Sequence, residues 1–223
     1  MATAAQRASA LRLRAAAADA LGLYDLARDD RIEAGDDTPS AKPAPALYAT
    51  LVGDFTLFVG GSLVDVDSWT NRRAGTLMRV LVAHRGRPIH RTQLVDWLWE
   101  SHPMRGERSF GAAVSVIRRA LAAAGTPRDT LCRVDDRYVI TPTPRTDVDE
   151  FEHELRWSTA ALGARRFDVA RVRLERAQQS FGSGAVLPND GEAPWLREPR
   201  AQVADLRAAA ARMLAKLARA ARS

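Results

Sequence analysis

The chain has 223 residues, of which 46% are hydrophobic, so it can bury the core of one large domain or of two small ones. No apolar run reaches about 18 residues, and Arg7, Arg12 and Arg14 interrupt the N-terminus, so we expect neither a membrane span nor a secretory signal. A single cysteine, Cys132, cannot form an internal disulfide, and we expect a cytoplasmic protein.

Positive charge is concentrated in the middle of the chain. The formal net charge is +6, and residues 46–145 carry fourteen basic and nine acidic residues, a net +5. Residues 1–45 carry a net −1 and residues 146–223 a net +2. A basic middle segment is where a polyanion such as nucleic acid would bind, although a solvated basic surface gives the same composition.

The first 46 residues predict a helix and a linker. Residues 1–30 are rich in strong helix formers, and Leu11, Ala15 and Ala18 recur at helical spacing. Residues 31–46 contain one glycine, three prolines and several acidic residues, a composition that cannot bury a core. We therefore predict an N-terminal helix over 1–30, a linker over 31–46, and a folded body that starts at residue 47.

The pattern from residue 47 to residue 140 predicts strands, then helices, then a hairpin. Apolar residues alternate over residues 48–69 around a Gly-Gly pair, which predicts two or three short antiparallel strands. Helical spacing then predicts three helices, over 73–85, 91–100 and 107–123. Two short β runs flank Asp135-Asp136 and predict a hairpin, over 131–134 and 137–140. This order is that of a winged helix preceded by a small sheet, and we assign the winged-helix domain to 47–145.

The remainder of the chain, residues 146–223, predicts helices only. Thr146 and Asp149 are spaced as in a capping box, with a shorter acid in the usual Glu or Gln position. Apolar spacing predicts three helices, over 147–162, 167–181 and from about 197 to the C-terminus. The fold class is thus mostly α with small antiparallel β, a winged helix-turn-helix followed by a short helical domain.

The predicted third helix has a face suited to DNA. Its apolar residues, Phe110, Val114 and Ile117 among them, form one stripe, so a different set of side chains points the opposite way. That outer set is Arg108, Ala112, Ser115, Val116 and Arg119. Small residues let a helix lie deep in the major groove, and arginine can bind guanine or phosphate. An ordinary solvated helix face would show the same pattern.

Two further groups could contact DNA. Arg133 and Arg137 flank the predicted hairpin turn, where a wing that reaches the adjacent groove needs a cation. Arg91 and Thr92 open the second helix, whose backbone N–H groups and dipole favour a phosphate. His90 could join them, although a lone histidine in a turn is more often structural.

Several runs in this segment resemble the OmpR-type winged helix of the Streptomyces antibiotic regulatory protein family. They are residues 51–53, the run LVAHRGRPI at 81–89, the run LVDWLW at 94–99, the run VSVIRRAL at 114–121, and Tyr138 in the wing. Residues 147–152, residues 170–177 and Trp195 are similar to landmarks of the bacterial transcriptional activation domain that follows in this family.

The resemblance implies a sequence-specific transcription regulator that binds double-stranded promoter DNA as a side-by-side homodimer. It implies an activator that recruits RNA polymerase through residues 101–106, a loop from Ser101 to Gly106, and that lies on the nucleoid when bound to DNA. It also implies that the shortened C-terminal part is tetratricopeptide-like and serves activation, oligomerisation or signal input. The DNA-binding residues that we predict are Arg91, Thr92, Arg105, Arg108, Ser109, Ala112, Ser115, Val116, Arg118, Arg119, Arg133 and Arg137.

Three features depart from the family pattern. Asp135-Asp136 stands where the wing usually has glycine, and these carboxylates either repel phosphate or set the turn. Val116 stands where the family often has a polar or basic residue. The C-terminal domain is short, and the predicted N-terminal helix could close against it in place of a missing helix.

Other classes of function have weaker support in the sequence. The four histidines have no metal-ligand spacing, and the chain has neither a glycine-rich phosphate loop nor a nucleophile elbow. Cys132 lies in a predicted strand and is expected to be packed. We therefore expect no enzyme, no catalytic residue, no metal and no cofactor. The alternative function is a winged-helix protein-interaction module with weak DNA binding, which the wing carboxylates and Val116 favour.

Overall fold

The computed structural model of the protein describes residues 47–99, 103–127 and 129–220. The predicted N-terminal helix and linker lie outside the described residues, and so does the start of the predicted loop at 101–102. The division of the chain into domains, including the boundary after residue 145, stays a prediction.

The described chain begins with a small four-stranded sheet. Strands β1 (Leu47–Thr50), β2 (Thr56–Val59) and β3 (Ser62–Val64) are antiparallel, as the alternation predicts. A short fourth strand, labelled β7 because it comes last in the chain (Arg145–Thr146), pairs in parallel with β1. The sequence does not predict β7, because a strand of two residues has too few positions to show alternation.

Three helices follow this sheet. They are α1 (Arg72–Ala83), α2 (Arg91–Leu98) and α3 (Pro103–Ala123). The side chain of Asn71 accepts from two backbone N–H groups at the start of α1, and His90 caps α2 in the same way through one. The third helix starts four residues earlier than predicted, since proline suits the first turn of a helix, where an N–H has no partner to lose. Residues 103–106 are therefore helical, and the prediction of a loop there is wrong.

The predicted hairpin is present as β5 (Leu131–Val134) and β6 (Arg137–Ile140). A two-residue strand, β4 (Ile89–His90), joins it in the order β4-β6-β5. Asp135 and Asp136 both have positive φ, 47° and 61°, as a hairpin turn of the type I′ requires at its two central positions. Aspartate adopts this left-handed conformation more readily than most residues, so the two carboxylates set the turn.

The C-terminal part is helical throughout, with α4 (Asp147–Gly163), α5 (Phe167–Phe181) and α6 (Arg197–Ala220). The capping box of Thr146 and Asp149 is present at the start of α4. Helices α4 and α5 pack as a hairpin and α6 covers them. The fold is a winged helix-turn-helix followed by a tetratricopeptide-like helical part. None of the helices in the described residues is both long and apolar enough to span a bilayer.

The winged helix and the helical part share one hydrophobic core. Buried residues of the first part, such as Leu51 and Leu77, belong to the same cluster as Phe151 and Trp195 of the second. The backbone also joins them, since the N–H of Gly53 donates to the carbonyl of Ala185 at 2.9 Å. The two parts are therefore packed against each other as one body.

Candidate nucleic-acid interface

Helix α3 presents the amphipathic arrangement that its sequence predicts. Phe110, Val114, Ile117 and Leu121 are buried in the core. The exposed side consists of Arg108, Gly111, Ala112, Ser115, Arg118 and Arg119. Val116 differs from the prediction, because it is half-buried and packs against the core, on the flank of the buried stripe. The centre of the exposed side is thus made of small residues.

Glycine at position 106 allows α3 to lie close against α2. A Cβ at Gly106 would come within 2.8 Å of Cγ1 of Val95 and within 2.9 Å of Cβ of Trp99. No real Cβ contact is that short, so any side chain here would push the two helices apart. The sequence analysis missed this role, which only the helix crossing reveals.

Arg118 ties α3 to the wing. Its guanidinium donates to the backbone carbonyl of Leu131 in β5, with Nη2 at 3.0 Å. The ring of Phe110 also contacts the ring of Tyr138 in β6 edge-on, at 5.0 Å between centroids. Arg118 is predicted as a DNA contact, but its side chain is used to hold the hairpin on the helix.

The two wing arginines differ in their partners. The guanidinium Nε of Arg133 donates to Oδ1 of Asp136 at 3.1 Å, so its charge is partly neutralised within the turn. Arg137 is exposed, and its side chain has neither a hydrogen bond nor an ion pair within the described chain. Val134, at the end of β5, is 61% exposed. The wing therefore offers one unpaired cation beside an apolar tip.

The start of α2 is less open than the sequence suggests. The N–H of Arg91 donates to the carbonyl of Asp136 at 2.8 Å, and the N–H of Thr92 donates to Nδ1 of His90 at 3.3 Å. The guanidinium of Arg91 lies 5.6 Å from the centroid of the Phe110 ring. The amides of Arg91 and Thr92 therefore already have partners and are not open to a phosphate.

The remaining residues that we predict as DNA contacts also differ in their exposure and in whether their side chains already have partners. Ser109 is half-buried, and the side chain of Arg105 lies outside the described part of the structure. The hydroxyl of Ser115 donates to the carbonyl of Gly111 at 2.9 Å. Arg108 and Arg119 are exposed, and their side chains form no hydrogen bond or ion pair with any described residue.

The opposite side of the winged helix is dominated by ion pairs with the helical part. Arg79 contacts Asp190 at 3.0 Å, and Arg85 contacts both Asp149 and Glu152 at the start of α4. Arg87 contacts Glu198 at the start of α6. The basic residues on this side are thus neutralised within the molecule.

Burial shifts the pKa of two acids at this junction. Asp147 accepts from the N–H groups of Leu51 and Val52, each at 2.9 Å. Desolvation raises the pKa of Asp147 and outweighs these N–H groups, which favour the charged form. Desolvation also raises the pKa of Asp190, against the opposing effect of the Arg79 charge.

No protein-family model matches the sequence, and no curated protein does. Among solved structures, the chain is similar to EmbR of Mycobacterium tuberculosis. The two share 25% sequence identity with a TM-score of 0.63, over 74% of this chain and 43% of the EmbR chain. That EmbR structure is of a complex with a low-affinity phosphopeptide. This chain therefore spans less than half the length of EmbR.

The structural likeness to EmbR covers both parts of this molecule. Residues 1–145 make up about 65% of the chain, and the residues outside 47–145 make up about 56%. A match over 74% of the chain therefore includes residues of both the winged helix and the helical part. The order of a winged helix and then a helical part is therefore common to the two proteins.

Proposed function

We propose that the protein is a sequence-specific transcription regulator that binds double-stranded promoter DNA with α3 in the major groove. The observation that carries this proposal is the set of exposed arginines on α3 and the wing that have no partner in the described chain: Arg108, Arg119 and Arg137. An unpaired arginine can bind a phosphate without an internal ion pair having to break first.

The shape of α3 supports insertion into the groove. Ala112 and Ser115 lie at the middle of the exposed side, so the helix can approach base edges closely. Arg108 and Arg119 are eleven positions apart, which is about 16 Å along the helix. They would contact guanine bases or phosphates on either side of the small central residues, and Arg137 would contact a neighbouring phosphate from the wing.

We further propose that the protein is an activator that pairs side by side on DNA. The resemblance to the Streptomyces antibiotic regulatory protein family supports this step. The contact with RNA polymerase would then use residues 101–106, of which 103–106 form the first turn of α3. Run-off transcription from a bound promoter should increase when the protein is added, and a decrease would identify a repressor instead.

A second function, a winged-helix protein-interaction module, is favoured by the wing tip. Val134 is 61% exposed beside two carboxylates, an arrangement that suits a protein surface better than a polyanion. The two functions differ in their dependence on salt, because phosphate contacts release the counterions condensed on DNA, whereas a contact of the apolar wing tip with a protein does not.

The test is fluorescence anisotropy with labelled genomic fragments at low and at moderate salt. The variant carries Arg108→Ala together with Arg119→Ala, and the control carries Arg171→Ala together with Arg212→Ala, which removes the same charge from exposed sites in the helical part. We expect fragment-selective binding that weakens as salt rises, a loss of about 100-fold in the first variant and little change in the control. Weak binding that is equal on all fragments and indifferent to Arg108 and Arg119 would overturn the proposal and favour the interaction module.

A further inference from the structure

An open cleft of about 710 Å³ lies between β1 and the helices α4 and α5. One wall belongs to the winged helix and includes Tyr48 and Thr50. The opposite wall is formed by α5, with Arg173 and Arg176. A volume of this size is typical of small-molecule sites, which combine an apolar surface with a few placed polar groups.

The apolar lining of the cleft comes from the half-buried Tyr48 and Val52 and from the exposed part of an aromatic pair. The rings of Phe151 and Phe181 stack with 4.3 Å between centroids and only 6° between their planes. Both residues are buried, as is Ala177 beside them, and all three line the cleft. This surface suits an aliphatic or aromatic group.

The polar groups on α5 suit an anion. Nη1 of Arg173 donates to Oε1 of Glu154 at 3.2 Å, and its guanidinium lies 4.1 Å from the centroid of the Trp157 ring, so the side chain is held in place. Arg176, one turn further along α5, is exposed and has no side-chain partner among the described residues. The guanidinium fork matches carboxylate and phosphate geometry, and an unpaired one is free to bind them.

The acids of the cleft are already engaged. Tyr48 donates to Oε2 of Glu150 at 3.4 Å, and the same carboxyl group lies 3.7 Å from Nε of Arg145. Burial and the charge of Glu150 raise the pKa of Tyr48 to about 12, so its phenol stays protonated as a donor. Glu150 and Glu154 are thus paired with Arg145 and Arg173, and Arg176 is the arginine of the cleft lining that has no side-chain partner among the described residues.

We propose that this cleft binds a small organic anion with an apolar body. The anionic group, a carboxylate or a phosphate, pairs with Arg176 and the remaining donors of Arg173. The apolar body lies against Tyr48, Val52 and the exposed part of the Phe151–Phe181 pair.

A ligand in this cleft would also contact the residues that join the winged helix to the helical part. Asp147 lines the cleft and holds the backbone N–H groups of Leu51 and Val52. A ligand that binds this wall and favours one arrangement of the junction over another would change DNA affinity. That regulatory consequence rests on the proposed DNA binding, whereas the ligand site itself does not.

The test uses the dye anilinonaphthalene sulfonate, an aromatic anion, titrated into the full chain without DNA. We expect saturable binding with one dye per chain, competition by decanoate, and no competition by neutral decanol. Arg176→Gln should weaken dye binding roughly ten-fold, and Arg176→Lys should weaken it less, because it keeps the charge but loses the fork. The matched control is Arg212→Gln, which removes an exposed arginine of α6 and should leave binding unchanged.

Equal dye affinity in the wild type and Arg176→Gln would overturn the site, and so would equal competition by decanol. Circular dichroism checks that each variant is folded, and Arg176 is exposed, so its replacement should not unfold the chain. Adding decanoate to the DNA-binding assay then tests regulation separately. Dye binding without any DNA binding would leave the ligand site standing and remove the proposed function.

Discussion

The arginines on the two sides of the winged helix differ in whether they have a partner. On the side that packs against the helical part, Arg79, Arg85 and Arg87 each pair with a carboxylate of that part. On the side of α3 and the wing, Arg108 and Arg119 have no such partner in the described chain. A basic composition is therefore uninformative by itself, and the tertiary contacts separate the arginines used for packing from those left available for the proposed DNA contact.

The largest effect should come from Asp147, which joins the packed side to β1. Asp147→Ala leaves the N–H groups of Leu51 and Val52 without their acceptor, and we expect a loss of about 3 kcal/mol in the free energy of unfolding. Asp147→Asn keeps one acceptor oxygen and should lose about half as much. Urea denaturation measures both, and an unfolding free energy unchanged in Asp147→Ala would show that this junction contributes little.

The same substitution on each side of the winged helix separates a paired arginine from an unpaired one. Arg85 has φ of 48°, which asparagine tolerates, so Arg85→Asn removes the ion pairs to Asp149 and Glu152 without straining the backbone. We expect it to cost about 1 to 2 kcal/mol, because its partners are partly exposed. Arg108→Asn should change the unfolding free energy by less than about 0.5 kcal/mol. Equal losses in urea denaturation would contradict the distinction between the two sides.

The smallest effect is expected at the wing, where Asp136 neutralises Arg133. Asp136→Asn keeps a residue that accepts the φ of 61° and releases Arg133, so DNA affinity should rise several-fold and its salt dependence should steepen by about one counterion. Asp135→Asn removes the same charge from the same turn but leaves Arg133 paired, and it should raise affinity less. Anisotropy titrations at several salt concentrations compare the two variants, and an identical response to both would assign the effect to charge alone.

The elements that depend on local pattern were predictable from the sequence. The helix Phe167–Phe181 has the predicted bounds, and the hairpin strands at 131–134 and 137–140 do as well. Helical spacing and a two-residue turn are encoded within a few positions, so they can be seen without the rest of the chain. Strands β4 and β7 could not be predicted, because two residues pair only when a distant strand lies beside them.

The candidate site was predictable only in part, for the same reason. Helical periodicity places Arg108 and Arg119 on the exposed side of α3. It also places Arg118 there, but the partner of Arg118 is the carbonyl of Leu131, thirteen residues away. Arg133 likewise loses its availability to a neighbour across the turn. The sequence identifies which cations can point outward, and the tertiary contacts decide which of them are free.

Because the two parts share one core, the winged helix cannot simply be joined to a different helical part. Leu51 and Val52 use Asp147 as an acceptor, and Leu51 also accepts from the N–H of Leu187. A winged helix transplanted onto another helical partner would bring unmatched amides and an uncovered apolar surface with it. Exchange of modules between proteins of this fold should therefore succeed only when the residues around Asp147 and Leu187 are transferred together with the winged helix.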